Sequence, residues 1–146
     1  KIDADCIMVG KPSHDKRWQK KLESKIEKIP NLTYLGELKL DQVNSLLARS
    51  HIFVNTSFAE GFANSAIQSW LRKVPVVSLH CHFDNILEKE QIGFYAGSFE
   101  QLFEKVVLLI EDTTLRQDMG ARAMRYARKK HSYQNIEQLH SLFLSH

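Results

Sequence analysis

His51-Ile52-Phe53-Val54-Asn55-Thr56-Ser57-Phe58-Ala59-Glu60-Gly61-Phe62-Ala63-Asn64 passes from a short apolar run, through small polar residues and a Glu-Gly turn, into a helical pattern. His51–Asn55 predicts a strand, Thr56–Gly61 a loop, and about Ala63 to Lys73 a helix that buries Ile67, Trp70 and Leu71. Pro75-Val76-Val77-Ser78-Leu79 then reads as a second buried strand. A strand, turn, helix and strand in so few residues is a parallel crossover unit.

The same alternation extends outward on both sides. Upstream, Cys6–Val9 predicts a buried strand ending at Gly10-Lys11-Pro12, and Trp18, Leu22, Ile26 and Ile29 a helix closed by Pro30. Leu32–Leu35 is a strand stopped at Gly36, and Val43, Leu46 and Leu47 form the stripe of a helix capped by Asp41. Downstream, Gly93–Ala96 predicts a short edge strand. Ser98 and Gln101 form a capping box opening a helix with Phe99, Leu102, Phe103, Val106, Val107 and Ile110 on its apolar face. Two further helical patterns carry Leu115, Met119 and Tyr126, then Ile136, Leu139 and Phe143. The fold expected is α/β, a Rossmann-like open parallel sheet with helices on both faces.

Composition narrows the function. The chain has 146 residues, 43% of them apolar, enough to bury a core without disulfides or a structural metal, and the whole of 1–146 is expected to form one domain. No apolar run approaches the length of a membrane span. Two cysteines, Cys6 and Cys81, make no disulfide framework; a reducing, cytoplasmic setting fits them better. The net charge is +3, and the cations gather in two groups, one from Lys11 to Lys28 and one comprising Arg116, Arg122, Arg125, Arg128, Lys129 and Lys130. Both groups have acidic neighbours and read first as solvated helix faces, with peripheral contact to an acidic membrane surface as the alternative. No nucleic-acid-binding motif accompanies them, so no nucleic-acid partner is expected. No Walker, dinucleotide-fingerprint or Gly-x-Ser-x-Gly pattern occurs. His80-Cys81-His82 with Asp84 has metal-binding side chains but spacing too tight for a tetrahedral site, so no metal is expected.

Sheets of this class bind ligands beyond the carboxyl ends of their strands. Attention therefore falls on Gly10–Pro12, Gly36–Leu38, Thr56–Phe62 and His80–Asp84. At the third of these, Gly61 permits a sharp turn and close approach of a ligand, and the N–H groups opening the next helix suit a phosphate or diphosphate. Glu60 stands beside that anion position, able to accept hydrogen bonds from hydroxyls. Gln68 lies one turn beyond Asn64, about 6 Å along the axis, within reach of a ribose on such a diphosphate. On these residues alone, a plain strand–turn–helix junction with Glu60 facing water reads as well.

Phe53–Phe62, Gln68 and Pro75-Val76-Val77 together resemble the donor-binding signature of GT-B retaining glycosyltransferases of the group 1, or family 4, type. Ile7–Gly10, Tyr34–Leu38 and Ile92-Gly93-Phe94 are similar to the family's flanking segments, so the resemblance covers essentially the whole chain. It implies the C-terminal, donor-binding lobe of a two-lobed enzyme. That enzyme would move a sugar, of hexosyl type, from a nucleotide diphosphate sugar to a glycan or lipid-linked acceptor, with retention, and would need no cofactor. The acceptor would be held by an N-terminal lobe preceding Lys1. Glu60 would be the catalytic contact to the donor sugar, and Gly61, Phe62, Ala63 and Asn64 would offer N–H groups to sugar or phosphate. Gly10, Lys11 and Pro12 would line the nucleotide, Glu37 and Leu38 the base, and Gln68 the ribose. The family carries an acid at the last position; Gln68 still donates and accepts hydrogen bonds but lacks the charge that strengthens them. A non-catalytic nucleotide-sugar or protein-binding module, and a sugar-nucleotide epimerase of the same fold, are the competing readings.

Overall fold

The computed structural model describes residues 2–58 and 64–131. The chain divides into two compact units, 1–43 and 44–146.

In the first unit, β1 (Cys6–Met8) and β2 (Leu32–Tyr34) pair in parallel, Cys6 opposite Leu32 and Met8 opposite Tyr34. The crossover between them carries α1 (Lys16–Ile26), whose N-cap Asp15 accepts from the backbone N–H groups of Arg17 and Trp18. This satisfies two donors that the first helical turn cannot. The helix ends before Ile29, so that residue is not part of the apolar stripe expected of it. Asn31 ties the start of the chain down, donating to the carbonyls of Ile2 and Ala4. The expectation of a buried first strand is corrected: Ile7 is 48% exposed, and Met8 and Val9 are also exposed. Within this unit α1 packs on β2, leaving β1 with less cover.

Helix α2 (Leu40–Leu47) spans the division between the units. Asp41 falls inside its first turn rather than at its cap, while Gln42 accepts from the backbone N–H of Lys39 through its side chain.

The second unit holds β3 (Phe53–Asn55), α3 (Asn64–Trp70), β4 (Val76–Ser78), α4 (Ile86–Lys89), β5 (Gly93–Tyr95), α5 (Phe99–Glu111) and α6 (Thr113–Lys130). Its three strands are parallel in the order β3-β4-β5, with Phe53, Val76 and Gly93 in register. Gly93–Tyr95 is thus a paired strand, as its sequence suggested.

Successive residues of β4 point to opposite faces, as the two-residue period of a strand requires. Val76 packs with Ala66, Trp70, Phe83, Leu87, Ala123 and Ala127, and Val77 with Leu109 and Met119. Both valines are fully buried, so helices cover both faces of this sheet. Trp70 is the largest side chain of the core, edge-on to Phe83 and to Tyr126 at 6.5 and 5.7 Å between ring centroids.

Ser98 caps α5 as expected, its hydroxyl accepting from the N–H of Gln101. The buried stripe of that helix differs from the expected one. Leu102, Val106 and Leu109 face the sheet, whereas Phe99 is 69% exposed and Phe103 is also exposed. Leu71 is likewise exposed, because α3 ends at Trp70. The end of α3 is a Schellman turn: Val74 N–H reaches Ser69 carbonyl and Lys73 N–H reaches Trp70 carbonyl, with Lys73 at φ +61°. Gly120 of α6 lies against the Lys73 carbonyl with no room for a Cβ. The helix expected around Ile136, Leu139 and Phe143 lies outside the described residues.

Candidate functional site

The first set of candidate residues belongs to the loops after β1 and β2. Past the last paired residues the ladder continues: Leu35 N–H donates to Met8 carbonyl, and Gly10 N–H to Gly36 carbonyl at 2.9 Å. Tyr34 adds its hydroxyl to the carbonyl of Gly10 at 3.0 Å. Gly36 has φ +69°, a conformation that suits a residue without a Cβ, and it turns the chain toward Glu37 and Leu38. Gly10, Lys11 and Pro12 are thereby brought beside Gly36, Glu37 and Leu38, as two loops at the carboxyl end of one parallel pair. Lys11, Pro12 and Glu37 are exposed and Leu38 is half-buried.

The second set belongs to the loops after β3, β4 and β5. Glu60, Gly61, Phe62 and Ala63 lie outside the described residues. Asn64 opens α3 and is exposed; Gln68, one turn further, is half-buried. The Gln68 carbonyl accepts from Arg72, whose guanidinium also donates to the Asn44 carbonyl. Asn55, buried at the end of β3, accepts through its side chain from the N–H of Ser57, shaping the start of the loop that leads to Glu60.

The loops of this unit are joined at their bases. Leu79 N–H donates to Asn55 carbonyl, and Ala96 and Gly97 N–H groups donate to Ser78 and Leu79 carbonyls. The buried Cys81 thiol donates to the Ser57 carbonyl at 3.3 Å, joining the loop after β4 to the loop after β3. His80 stacks on Phe58 with ring centroids 4.3 Å apart, and His82 stacks on Tyr95 at 3.9 Å. The two histidines are therefore engaged on either side of β4, His80 with the loop after β3 and His82 with β5. Among the described residues no group of three or more His, Cys, Asp or Glu side chains converges to hold a metal ion.

These ring stacks are the feature sequence reading missed. The alternation of His80 and His82 around Cys81 was visible, but their ring partners come from other segments, the loop after β3 and strand β5. Also unexpected is the turn Phe83–Asn85, where three successive residues adopt φ +46°, +54° and +59°. Left-handed backbone without glycine is uncommon, and buried Phe83, in contact with Trp70, anchors it here. No helix among the described residues is long and apolar enough to cross a membrane.

The profile of the family described as Glycosyl transferases group 1 matches residues 1–112. The capsular polysaccharide biosynthesis glycosyltransferase CapM of Staphylococcus aureus is 32% identical over 98 residues, covering 64% of this chain and 26% of that protein. The crystal structure of Anabaena HepE in complex with UDP and glucose superposes with a TM-score of 0.84 at 22% identity, over 99% of this chain and 41% of that one. The C-terminal domain of a group 1 family protein, LpcC of Francisella tularensis, superposes with a TM-score of 0.76 at 21% identity, over 87% of this chain and 69% of that one. The chain spans about a third or less of the length of the curated relatives it matches.

Proposed function

The chain belongs to the group 1 glycosyl transferases, and from that premise we propose that residues 1–146 act together as the C-terminal, donor-binding lobe of a two-lobed GT-B enzyme. The enzyme would transfer a hexosyl group from a nucleotide diphosphate sugar to an acceptor, with retention of configuration. The observation that carries this reading is that the family match encloses every candidate donor residue, and each described one lies in a loop beyond the carboxyl end of a parallel strand or in the helix that follows such a loop. That is where open α/β sheets take their ligands. HepE, with the same fold, was crystallised with UDP and glucose, which makes UDP the first diphosphate to try.

In this reading Gly10, Lys11 and Pro12 line the nucleotide, Glu37 and Leu38 lie beside its base, and Gln68 takes the ribose hydroxyls. Gly61, Phe62, Ala63 and Asn64 offer N–H groups to the diphosphate and sugar. Glu60 contacts the sugar hydroxyls and orients the ring for transfer. Charge growing on the departing diphosphate is met by oriented N–H dipoles and by Lys11, which lowers the barrier most where those donors are already in place. No cofactor is assigned. The acceptor, a glycan or lipid-linked glycan of polysaccharide biosynthesis, would be held by the other lobe. The setting proposed is the cytoplasm, with peripheral membrane contact through the basic groups.

Calorimetric titration of the chain with UDP, GDP and ADP, each with and without its sugar, tests the reading. One diphosphate is expected to bind, and Glu60→Ala to weaken the sugar-bearing form more than the bare one. Binding by none of them overturns the donor-lobe assignment. Gln68, in place of an acid, favours a second reading, a module that binds without turnover. Sugar transfer by the full-length protein, lost in Glu60→Ala, excludes it.

A further inference from the structure

The second basic group of the sequence gathers around a cavity. Arg122, Arg125, Tyr126, Lys129 and Lys130 of α6, with Glu90 from the end of α4, line a recess of about 270 Å³. Arg122, Arg125 and Lys129 follow one another at three and four residues, so they share one face of the helix.

Two of the lining groups are held in place. The turn after α4 is a second Schellman turn, with Gln91 at φ +52°, Gln91 N–H on Glu88 carbonyl and Ile92 N–H on Leu87 carbonyl. The carbonyl of Gln91 accepts from Arg122 Nε at 2.9 Å, which fixes that guanidinium at the edge of the recess. The Tyr126 ring stands edge-on to buried Trp70 at 5.7 Å. Burial and the charges of Glu90 and Asp84 push its hydroxyl pKa up, so it stays protonated and able to donate.

Helix-end electrostatics account for part of the charge. Arg128, Lys129 and Lys130 occupy the last turn, where cations oppose the negative end of the helix dipole. Arg122 and Arg125 lie further back, beyond the reach of that effect. The carboxylates of Glu111, at the end of α5, Asp112, the N-cap of α6, and Asp118 do not line the recess. Among the described residues, the lining of this concave site brings the guanidinium groups of Arg122 and Arg125 together against the one carboxylate of Glu90.

We propose that this recess binds a phosphate-bearing anion of two or more charges, with Arg122, Arg125 and the Tyr126 hydroxyl as its donors and Glu90 limiting its affinity. Guanidinium forks match phosphate oxygens in geometry, and the volume accommodates a diphosphate or a phospholipid headgroup. The assignment does not depend on the glycosyl-transfer reading.

The 15N-labelled chain titrated with inorganic pyrophosphate is the test. The Nε–H signals of Arg122 and Arg125 report on the recess, and the amides of Asn64 and Gln68 report separately on the donor loops. Saturable shifts at the two arginines are expected. Arg125→Glu should weaken them about tenfold or more, and Glu90→Gln should strengthen binding by about twofold to fivefold. Circular dichroism confirms that both variants fold. Sedimentation with phosphatidylcholine vesicles, with and without phosphatidylglycerol, identifies the source. Phosphatidylglycerol-dependent sedimentation lost in Arg125→Glu assigns a lipid headgroup, whereas pyrophosphate binding without sedimentation assigns a soluble phosphate. Absence of saturable shifts at Arg122 and Arg125, or shifts unchanged by both substitutions, overturns the proposal.

Discussion

Gly10 and Gly36 share a backbone hydrogen bond of 2.9 Å, Gly10 donating and Gly36 accepting, two residues past the last paired residues of β1 and β2. Two loops that are 26 positions apart in the chain thus behave as one wall. Its shape depends on the positive φ of Gly36, because a left-handed residue at that point redirects the chain toward Glu37.

Gly36→Ala tests that dependence. A Cβ there meets no atom within 4 Å, so the cost is purely conformational, about 1–2 kcal/mol. Urea denaturation should show that loss. If the loops hold the nucleoside, affinity for the diphosphate falls as well. A Gly36→Asn variant, whose side chain tolerates the left-handed region, should recover part of both. Full stability in Gly36→Ala would contradict the geometry of the turn.

Gly120→Ala tests packing between α6 and the end of α3, and its sign is diagnostic. In an exposed helix interior the change stabilises by up to about 1 kcal/mol, since alanine is the better helix former. Here the new methyl collides with the Lys73 carbonyl, and backbone cannot yield as a flexible side chain would. The expected result is destabilisation of about 1–3 kcal/mol by chemical denaturation. A gain in stability would mean that the two helices do not approach as closely as described.

His131 carries a pH dependence. It follows the last turn of α6, its ring 6.0 Å from that of Tyr126, and burial lowers its pKa below the ordinary value of 6.5. The unfolded chain therefore takes up this proton before the folded chain does. The contribution is complete above the unfolded pKa and declines as the pH falls through it. Melting temperatures at pH of about 7.5 and 5.5 should differ less in His131→Gln than in the parent, although partial exposure keeps the effect small. An identical pH response in the two proteins would remove His131 as its source.

Much of the architecture could be read locally. Short apolar runs bounded by Gly10, Pro30, Gly36 and Pro75 predicted the strand positions, and all five strands occur within a residue or two of them. The Ser98 cap was equally legible, because a hydroxyl three residues from its N–H partner lies within one helical turn. The candidate site was legible in part, since Gly36 and the start of α3 at Asn64 follow from turn and helix chemistry.

What could not be read locally depends on contacts between segments distant in the chain. Periodicity marked Phe99, Leu102, Phe103, Val106 and Ile110 alike as an apolar face, yet which of them meets the sheet depends on how α5 lies against β4. The same holds for the stacks of Phe58 on His80 and His82 on Tyr95, and for the recess that joins Glu90 to α6. Hydrogen bonding and side-chain period act over a few residues, so the sequence by itself determined the elements, their order and the loops where a ligand would sit. Burial and ring contact arise only when separate elements pack, so the tertiary structure alone decided which faces close, which side chains stay exposed and which residues line the recess beside α6.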